Sequence, residues 1–339
     1  MKLSDLGEFG LIDRINKLAP RKSSATLVGI GDDAAALKLS ASHTLLVTTD
    51  SLLEGVHFDL ASTDFYSLGW KSAAVNLSDI AAMGGMARFC LTALGISPRL
   101  SVEQISEFYR GFNALLKDYR VALVGGDTCS SLDGFFIGVT VLGEIEPGRI
   151  VTRSGARPGD RIFVTGTLGD SAAGLELLQK NAKRKAQSAK RLIQKHLRPA
   201  PRIAEGRKIA LSGCASAMID VSDGLSTDLS HICGQSRVGA DVFAGAIPLS
   251  PASRSMSENL ARPLLDYALS GGEDYELLFT VPPSKLKKLG ALKLPITEIG
   301  LIRPGNSVSL IDGKGRKKLL VPSGYDHFRK GRGKASRFA

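Results

Sequence analysis

The sequence predicts a two-domain α+β / α/β protein, with an α+β first half and a mixed α/β second half. The chain has 339 residues, more than the ~250–300 at which a single hydrophobic core stops growing. Short β-branched runs alternate with Ala- and Leu-rich stretches of helical spacing along much of its length. Turn formers cluster at Glu146-Pro147-Gly148-Arg149, dividing the chain into domains 1–146 and 147–328 with a basic tail at 329–339.

Thr44–Thr49 reads as a strand running directly into Asp50. Residues 66–83 have apolar side chains at helical spacing, with Thr63 or Asp64 as N-cap. Ser101-Val102-Glu103-Gln104 is a capping box, opening a helix whose stripe is Ile105, Phe108, Phe112, Leu115 and Leu116. Residues 121–124 form a strand ending in Gly125-Gly126-Asp127, and 135–145 form a longer one. In the second half a Gly-rich loop at 153–160 precedes a strand at 161–165, and 166–175 leads into a helix. A strand at 217–221, the turn Ser222-Asp223-Gly224, a helix at 225–233 and a strand at 275–281 follow. No short-period repeat is present, although N-L-S-D-I at 76–80 and D-V-S-D-G at 220–224 echo each other.

Composition narrows the function. With 43% hydrophobic and 23% charged residues the chain is globular, and no apolar run approaches the ~20 residues of a membrane helix. The N-terminus M-K-L-S-D-L-G-E-F-G lacks the apolar segment of a signal peptide. Cys90, Cys129, Cys214 and Cys233 are scattered without a C-x-x-C pair, which argues against zinc and disulfides and for a soluble cytoplasmic protein. Much of the net charge of +11 sits in two runs, at 180–191 and 329–337. Aromatics do not interleave with these charges, so a solvated helix face and a tail are expected rather than a nucleic-acid site.

G-I-G-D-D-A at 29–34 fits the looser dinucleotide fingerprint G-x-G-x-x-G/A. The context does not. A Rossmann turn opens a helix, whereas A-A-A-L-K-L-S is short and breaks at Ser40. Asp32 and Asp33 would also face the pyrophosphate. Two like charges about 4 Å apart cost on the order of 4 kcal/mol at an effective dielectric of 20. Acids recur in the same setting, at strand ends or in small-residue turns: 31–33, 48–50, 77–79, 125–128, 220–224 and 271–274. Converging carboxylates need cations, and hard oxygen ligands without His or Cys point to Mg²⁺ beside phosphate oxygens. The chain has neither a P-loop nor a kinase H-R-D or D-F-G set, so an ATP site here would rely on metals.

The motifs G-I-G-D-D-A, T-T-D-S-L-L-E-G-V-H-F, A-V-N-L-S-D-I-A-A-M-G, G-G-D-T, T-R-S-G-A-R-P-G-D, V-T-G-T-L-G-D-S-A-A-G-L, I-D-V-S-D-G-L-S-T-D-L and S-G-G-E-D-Y-E-L-L-F-T occur in this order. Together they resemble the thiamine-monophosphate kinase family, within the aminoimidazole-ribonucleotide-synthetase-like superfamily, from about Gly7 to G-Y-D-H-F at 324–328. The resemblance implies a homodimer paired through N-terminal sheets, with the N-terminal domain also binding ATP and Mg²⁺. It implies in-line transfer of a phosphoryl group from ATP to thiamine monophosphate without a phosphoenzyme. It puts Asp33, Thr48, Thr49, Asp50, Asp79, Asp127, Asp220 and Asp223 at several Mg²⁺ ions, with Asp50, Asp127 and Asp220 central to catalysis. Tyr109, Gly126, Arg153 and Ser222 would line the ATP site, and His57, Glu273 and Tyr325 the thiamine substrate. A role for K⁺ stays open, as does an aminoimidazole ribonucleotide synthetase activity. Selenophosphate synthetases use an N-terminal Cys or selenocysteine and hydrogenase-maturation dehydratases a C-terminal Cys. Here the first cysteine is Cys90 and the chain ends S-R-F-A.

Overall fold

Ten consecutive residues, Thr44–Leu53, alternate between buried and open positions and organise the first sheet. In the computed structural model, residues 3–18, 23–180, 186–325, 327 and 328 are described. Part of the first basic run, 181–185, and the whole of the basic tail lie outside them, whereas Lys190 and Arg191 are exposed as expected. Contacts divide the chain into two units, one from residues 1–80, 86–147 and 326–339, the other from 81–85 and 148–325.

The first unit contains α1 (Leu3–Leu18), β1 (Thr26–Val28), β2 (Ala35–Lys38), β3 (Thr44–Leu53), α2 (Phe65–Ala82), β4 (Met86–Ile96), α3 (Val102–Tyr119), β5 (Ala122–Ser130) and β6 (Phe136–Ile145). Its six-stranded sheet has the order β1-β2-β3-β6-β4-β5, with only β4 and β5 parallel, joined through α3. Asp64 is the cap of α2, its carboxylate accepting the Ser67 amide at 2.8 Å. Both capping-box bonds of α3 form between Ser101 and Gln104. Register sets Asp50, Val139, Thr92 and Gly126 in one row, and Ser51, Gly138, Ala93 and Asp127 in the next. The first row lies on the buried helix-bearing face, and the second on the opposite face because successive side chains alternate.

Two strands run further than expected. β3 passes through Asp50 to Leu53 because β6 pairs with all ten of its residues. β5 continues through Gly125-Gly126-Asp127 to Ser130 because β4 runs parallel beside it. Asp50 and Asp127 are therefore within strands, not at their ends.

Glycines let α2 and α3 cross at backbone contact. A Cβ on Gly69 would lie 1.9 Å from the Phe108 carbonyl oxygen, and one on Gly111 would lie 1.8 Å from that of Tyr66. Gly69→Ala must push the helices apart, and an overpacking loss of about 1–3 kcal/mol or more is expected in thermal melts. Gly234→Ala, in a helix position with nothing within 4 Å of the added carbon, should be neutral or stabilising. Equal melting temperatures for the two variants would refute this reading of the crossing.

The second unit contains β7 (Arg161–Thr165), α4 (Asp170–Gln179), α5 (Gln187–Leu197), α6 (Ile203–Ser212), β8 (Ala217–Asp220), α7 (Leu225–Ser236), β9 (Gly239–Phe243), α8 (Pro251–Ser255), α9 (Leu264–Ser270), β10 (Leu277–Val281), α10 (Leu286–Gly290), β11 (Ile296–Arg303), β12 (Val308–Ile311) and β13 (Lys317–Leu319). Its seven strands are ordered β13-β12-β9-β11-β7-β10-β8. Ile162, Val164, Ile219, Leu278, Ile299 and Ile302 from this sheet join Leu225, Leu229 and Ile232 of α7 in one apolar core. A smaller cluster joins α4, α5, α8 and α9 through Leu177, Leu192, Ala252 and Tyr267. Among the described residues, no helix is long and apolar enough to cross a membrane.

Candidate functional site

Strand alternation puts Thr48 and Asp50 on the face of the first sheet that α2 covers. The Thr48 hydroxyl donates to Asp79 Oδ2 at 2.5 Å, and the Asp50 amide donates to Asn76 Oδ1 at 3.1 Å. Asn76 and Asp79 lie one helical turn apart on α2, so they meet neighbouring positions of β3. Asp33 arrives from the turn before β2, and its carboxylate comes within 4.8 Å of that of Asp79. Asp32 instead turns back, its Oδ1 accepting the Asp33 amide at 3.0 Å. Burial, then the charges of Asp33 and Glu8, push the Asp50 carboxyl up to about 6. Crowded carboxylates with a threonine hydroxyl, and no sulfur or nitrogen ligand among them, suit a hard divalent cation such as Mg²⁺.

The other expected residues of this unit lie on the same sheet, on α3 and in the loop after β3. Tyr109 places its hydroxyl 3.0 Å from Thr92 Oγ1, next to Asp50's row. Gly126 sits against Thr92 so closely that a Cβ would fall 2.1 Å from the Thr92 carbonyl oxygen. Tyr109 also borders an open groove of about 850 Å³ with Ile105, Val102 and Lys117. His57 Nδ1 accepts the Leu53 amide at 3.0 Å, leaving Nε2 to face His327 Nε2 at 3.4 Å. Thr49 and Asp127 are not brought to the cluster. The Thr49 hydroxyl faces the other way, 3.0 Å from that of Thr140. Asp127, exposed on the edge strand, accepts the Thr128 amide at 2.9 Å.

In the second unit, the expected residues gather around the loop between β8 and α7. Asp220 is buried at the end of β8. Ser222 accepts the Glu273 amide at 2.7 Å through its carbonyl, and the Tyr275 amide donates to the Val221 carbonyl at 2.9 Å. Asp223 and Gly224 donate their amides to buried Asp228 Oδ2, at 3.2 and 3.0 Å. Burial and the charges of Asp223 and Asp220 hold Asp228 well above the usual carboxylate range, against the pull of Arg153. Burial, then Arg153, push His231 down to about 4. Arg153 is thus within electrostatic reach of the loop that carries Asp220, Ser222 and Asp223. Tyr325 follows Gly324, whose amide donates to Thr227 Oγ1 at 3.0 Å.

Comparison with known proteins gives the family of the chain. Residues 31–145 match the family described as AIR synthase related protein, N-terminal domain, and 157–313 match the corresponding C-terminal domain. A thiamine-monophosphate kinase of Aquifex aeolicus is 40% identical over 328 residues, covering 97% of this chain and all 100% of that protein. The chain belongs to the thiamine-monophosphate kinase family. Another member, from Escherichia coli K12, is 42% identical over 328 residues, covering 95% of this chain and 98% of its own. A solved structure, AaThiL complexed with AMPPCP and TMP, superposes with a TM-score of 0.86 at 40% identity, covering 97% of this chain and 99% of that one.

Several polar residues of this thiamine-monophosphate kinase family member carry no role in the sequence reading. Asp228 ties down the loop amides. Asp274 accepts the amides of Gly169 and Ser171 at the start of α4, at 2.6 and 3.2 Å. Glu276 takes two bonds from Arg202 at 2.6 and 2.5 Å and one from Thr165 at 2.7 Å. His196, from α5, lies beside Glu273. The signal was there in part: G-G-E-D-Y-E puts three acids in four residues, too dense for a solvated turn that then enters a buried strand.

Proposed function

We propose that this chain transfers the γ-phosphoryl group of ATP to the phosphate of thiamine monophosphate, giving thiamine diphosphate and ADP by direct in-line displacement with several Mg²⁺ ions. The crowding of Asp33, Asp50 and Asp79 around Thr48 supports it most. Mg²⁺ held there would offset the repulsion between donor and acceptor phosphates. The chain's own part is to hold charge and orientation. Asp33, Thr48, Asp50 and Asp79 supply oxygen ligands in the first unit, Asp220 and Asp223 in the second. Any part played by Thr49 runs through its main chain, since its hydroxyl is turned away. Gly126, Tyr109, Ser222 and the Arg153 guanidinium receive ATP, the last by charge-assisted bonds to phosphate oxygens. His57, Glu273 and Tyr325 receive the thiamine moiety. The acceptor oxygen is ionised at neutral pH, so no strong general base is required.

Asp127 enters this scheme through a second copy of the chain. It lies on the face opposite Asp50, along an edge strand that also carries exposed Val124 (55%) and pairs further along with exposed Phe89 (50%) of β4. Unpaired strand edges and apolar sheet faces favour association. A homodimer paired on this sheet would present Asp127 to the partner's cluster. We retain 1–146 for ATP, Mg²⁺ and dimerisation, 147–328 for the mixed α/β domain, and 329–339 as a tail. Four free cysteines, only Cys129 of them exposed, suit the reducing cytoplasm.

Acceptor identity is tested by ADP release with thiamine monophosphate, thiamine or formylglycinamidine ribonucleotide. Turnover is expected with the first alone, and turnover with the last would assign the chain to aminoimidazole ribonucleotide synthesis. Acid quenching should trap no phosphoryl group on protein.

Metal binding carries a pH signature. Asp50 titrates near 6 in the metal-free fold against 3.8 ordinarily, so without metal its proton favours the folded state as pH falls through 6. Metal and proton compete for the same oxygens. Mg²⁺ is therefore expected to raise the melting temperature clearly above pH 7 and hardly at all near pH 5. An equal rise at both would contradict the assignment.

A further inference from the structure

His196 and Ser171 are buried at 2% and 1% exposure, and Glu273 at 6%. His196 Nδ1 lies 3.3 Å from Glu273 Oε2 and 3.1 Å from Ser171 Oγ. We infer that His196 is a positioning residue for substrate recognition, aiming the Glu273 carboxylate at the cationic ring system of thiamine. The inference rests on the reading of Glu273 as a substrate contact.

An ionised carboxylate only accepts hydrogen bonds, so an imidazole lone pair facing it would be repelled. Nδ1 therefore carries the proton and donates toward Glu273. Ser171 and Glu273 meet the same ring nitrogen, so the trio cannot relay a proton from serine to carboxylate as a hydrolytic triad does through two nitrogens. What remains is orientation and charge. The backbone is shaped for it: Glu273 and Tyr275 both adopt left-handed conformations, φ 67° and 51°, which side-chain-bearing residues seldom take. Such strain persists where neighbours over-determine it. Here the Glu273 amide is held by the Ser222 carbonyl at 2.7 Å, and the next residue, Asp274, is held by the amides of Gly169 and Ser171. Main chain and carboxylate are thus fixed from different elements, the loop after β8 and the last turn of α5.

Thiamine carries a permanent positive charge on its thiazolium, and a fixed anion recognises it at no cost in reorientation. Loss of the Nδ1–H donor should therefore weaken thiamine monophosphate binding and leave ATP binding alone. The test compares His196→Asn, whose amide N–H falls near the place of Nδ1, with His196→Gln, whose amide falls near Nε2. Both are polar and of similar size. KM for thiamine monophosphate should rise about tenfold in H196Q and return to within about threefold of the parent in H196N, as expected for losing and restoring one charge-assisted bond. KM for ATP and kcat should stay within about threefold in both. Glu273→Gln serves as the control and should raise the same KM. Equal behaviour of H196N and H196Q, with E273Q impaired, would overturn the positioning role. An unchanged KM in E273Q would instead remove Glu273 from the substrate site, and the inference with it.

Discussion

Asp50→Ala is expected to lower kcat by about 10³-fold or more, as when a preorganised group that meets transition-state charge is removed. The protein should remain folded. Asp50 is partly buried and crowded by Asp33 and Glu8, so removing its charge relieves repulsion in the metal-free fold. The variant should melt no lower than its parent without Mg²⁺, and should lose the Mg²⁺-induced rise. Asp127→Ala is expected to be equally inactive, although Asp127 lies on the other face of the same sheet. The two variants should complement each other. In the proposed homodimer, a mixed pair of D50A and D127A would retain one intact Asp50–Asp127 combination across the subunits. Statistical reassortment of the two pools should therefore restore about a quarter of the parent activity. Gel filtration and steady-state assays of the mixture check this. No restoration in a sample that forms dimers would mean that Asp127 serves the subunit carrying it, or neither.

The largest loss of stability is expected from Arg202→Ala. Glu276 is 1% exposed and is met by Arg202 through two nitrogens, Nε and Nη2, with Lys195 only at 3.8 Å. Removing the guanidinium leaves a buried carboxylate uncompensated, costing about 3–5 kcal/mol. Arg202→Lys cannot reproduce the fork and should recover only part of the loss. Glu276→Gln, which removes the buried charge itself and keeps an acceptor, should cost less than Arg202→Ala. Urea unfolding of the three variants orders them. A loss below about 1 kcal/mol in Arg202→Ala, the range of an exposed ion pair, would contradict the account.

Local chemistry was legible where one element determines it. Ser101 and Gln104 announce α3 because a capping box closes within four residues, and Arg161-Ile162-Phe163-Val164-Thr165 is a strand as read. β4 was not read, because Phe89 and Leu91 on its open face are as apolar as Cys90 and Leu94 on its buried one, so the residue types lack the alternation that marks a strand. The acids were recognisable as a set, but their faces were not. T-T-D looks like three adjacent ligands, whereas pairing with β6 sends Thr48 and Asp50 to one side and Thr49 to the other. Asp228 and His196 escaped for different reasons. His196 meets Glu273 only through a tertiary contact that no periodicity encodes, whereas Asp228 bonds amides four and five residues before it, a local turn that a position inside a helix does not announce.

The central claim, phosphoryl transfer onto an existing phosphate, is tested most directly by ³¹P NMR of the protein with ATP, Mg²⁺ and thiamine monophosphate. The account predicts that the monoester signal decays as a new diphosphate pair and ADP appear together, and that thiamine in place of its monophosphate gives neither. ATP consumption with the monoester signal unchanged, in a sample that binds Mg-ATP, would contradict it.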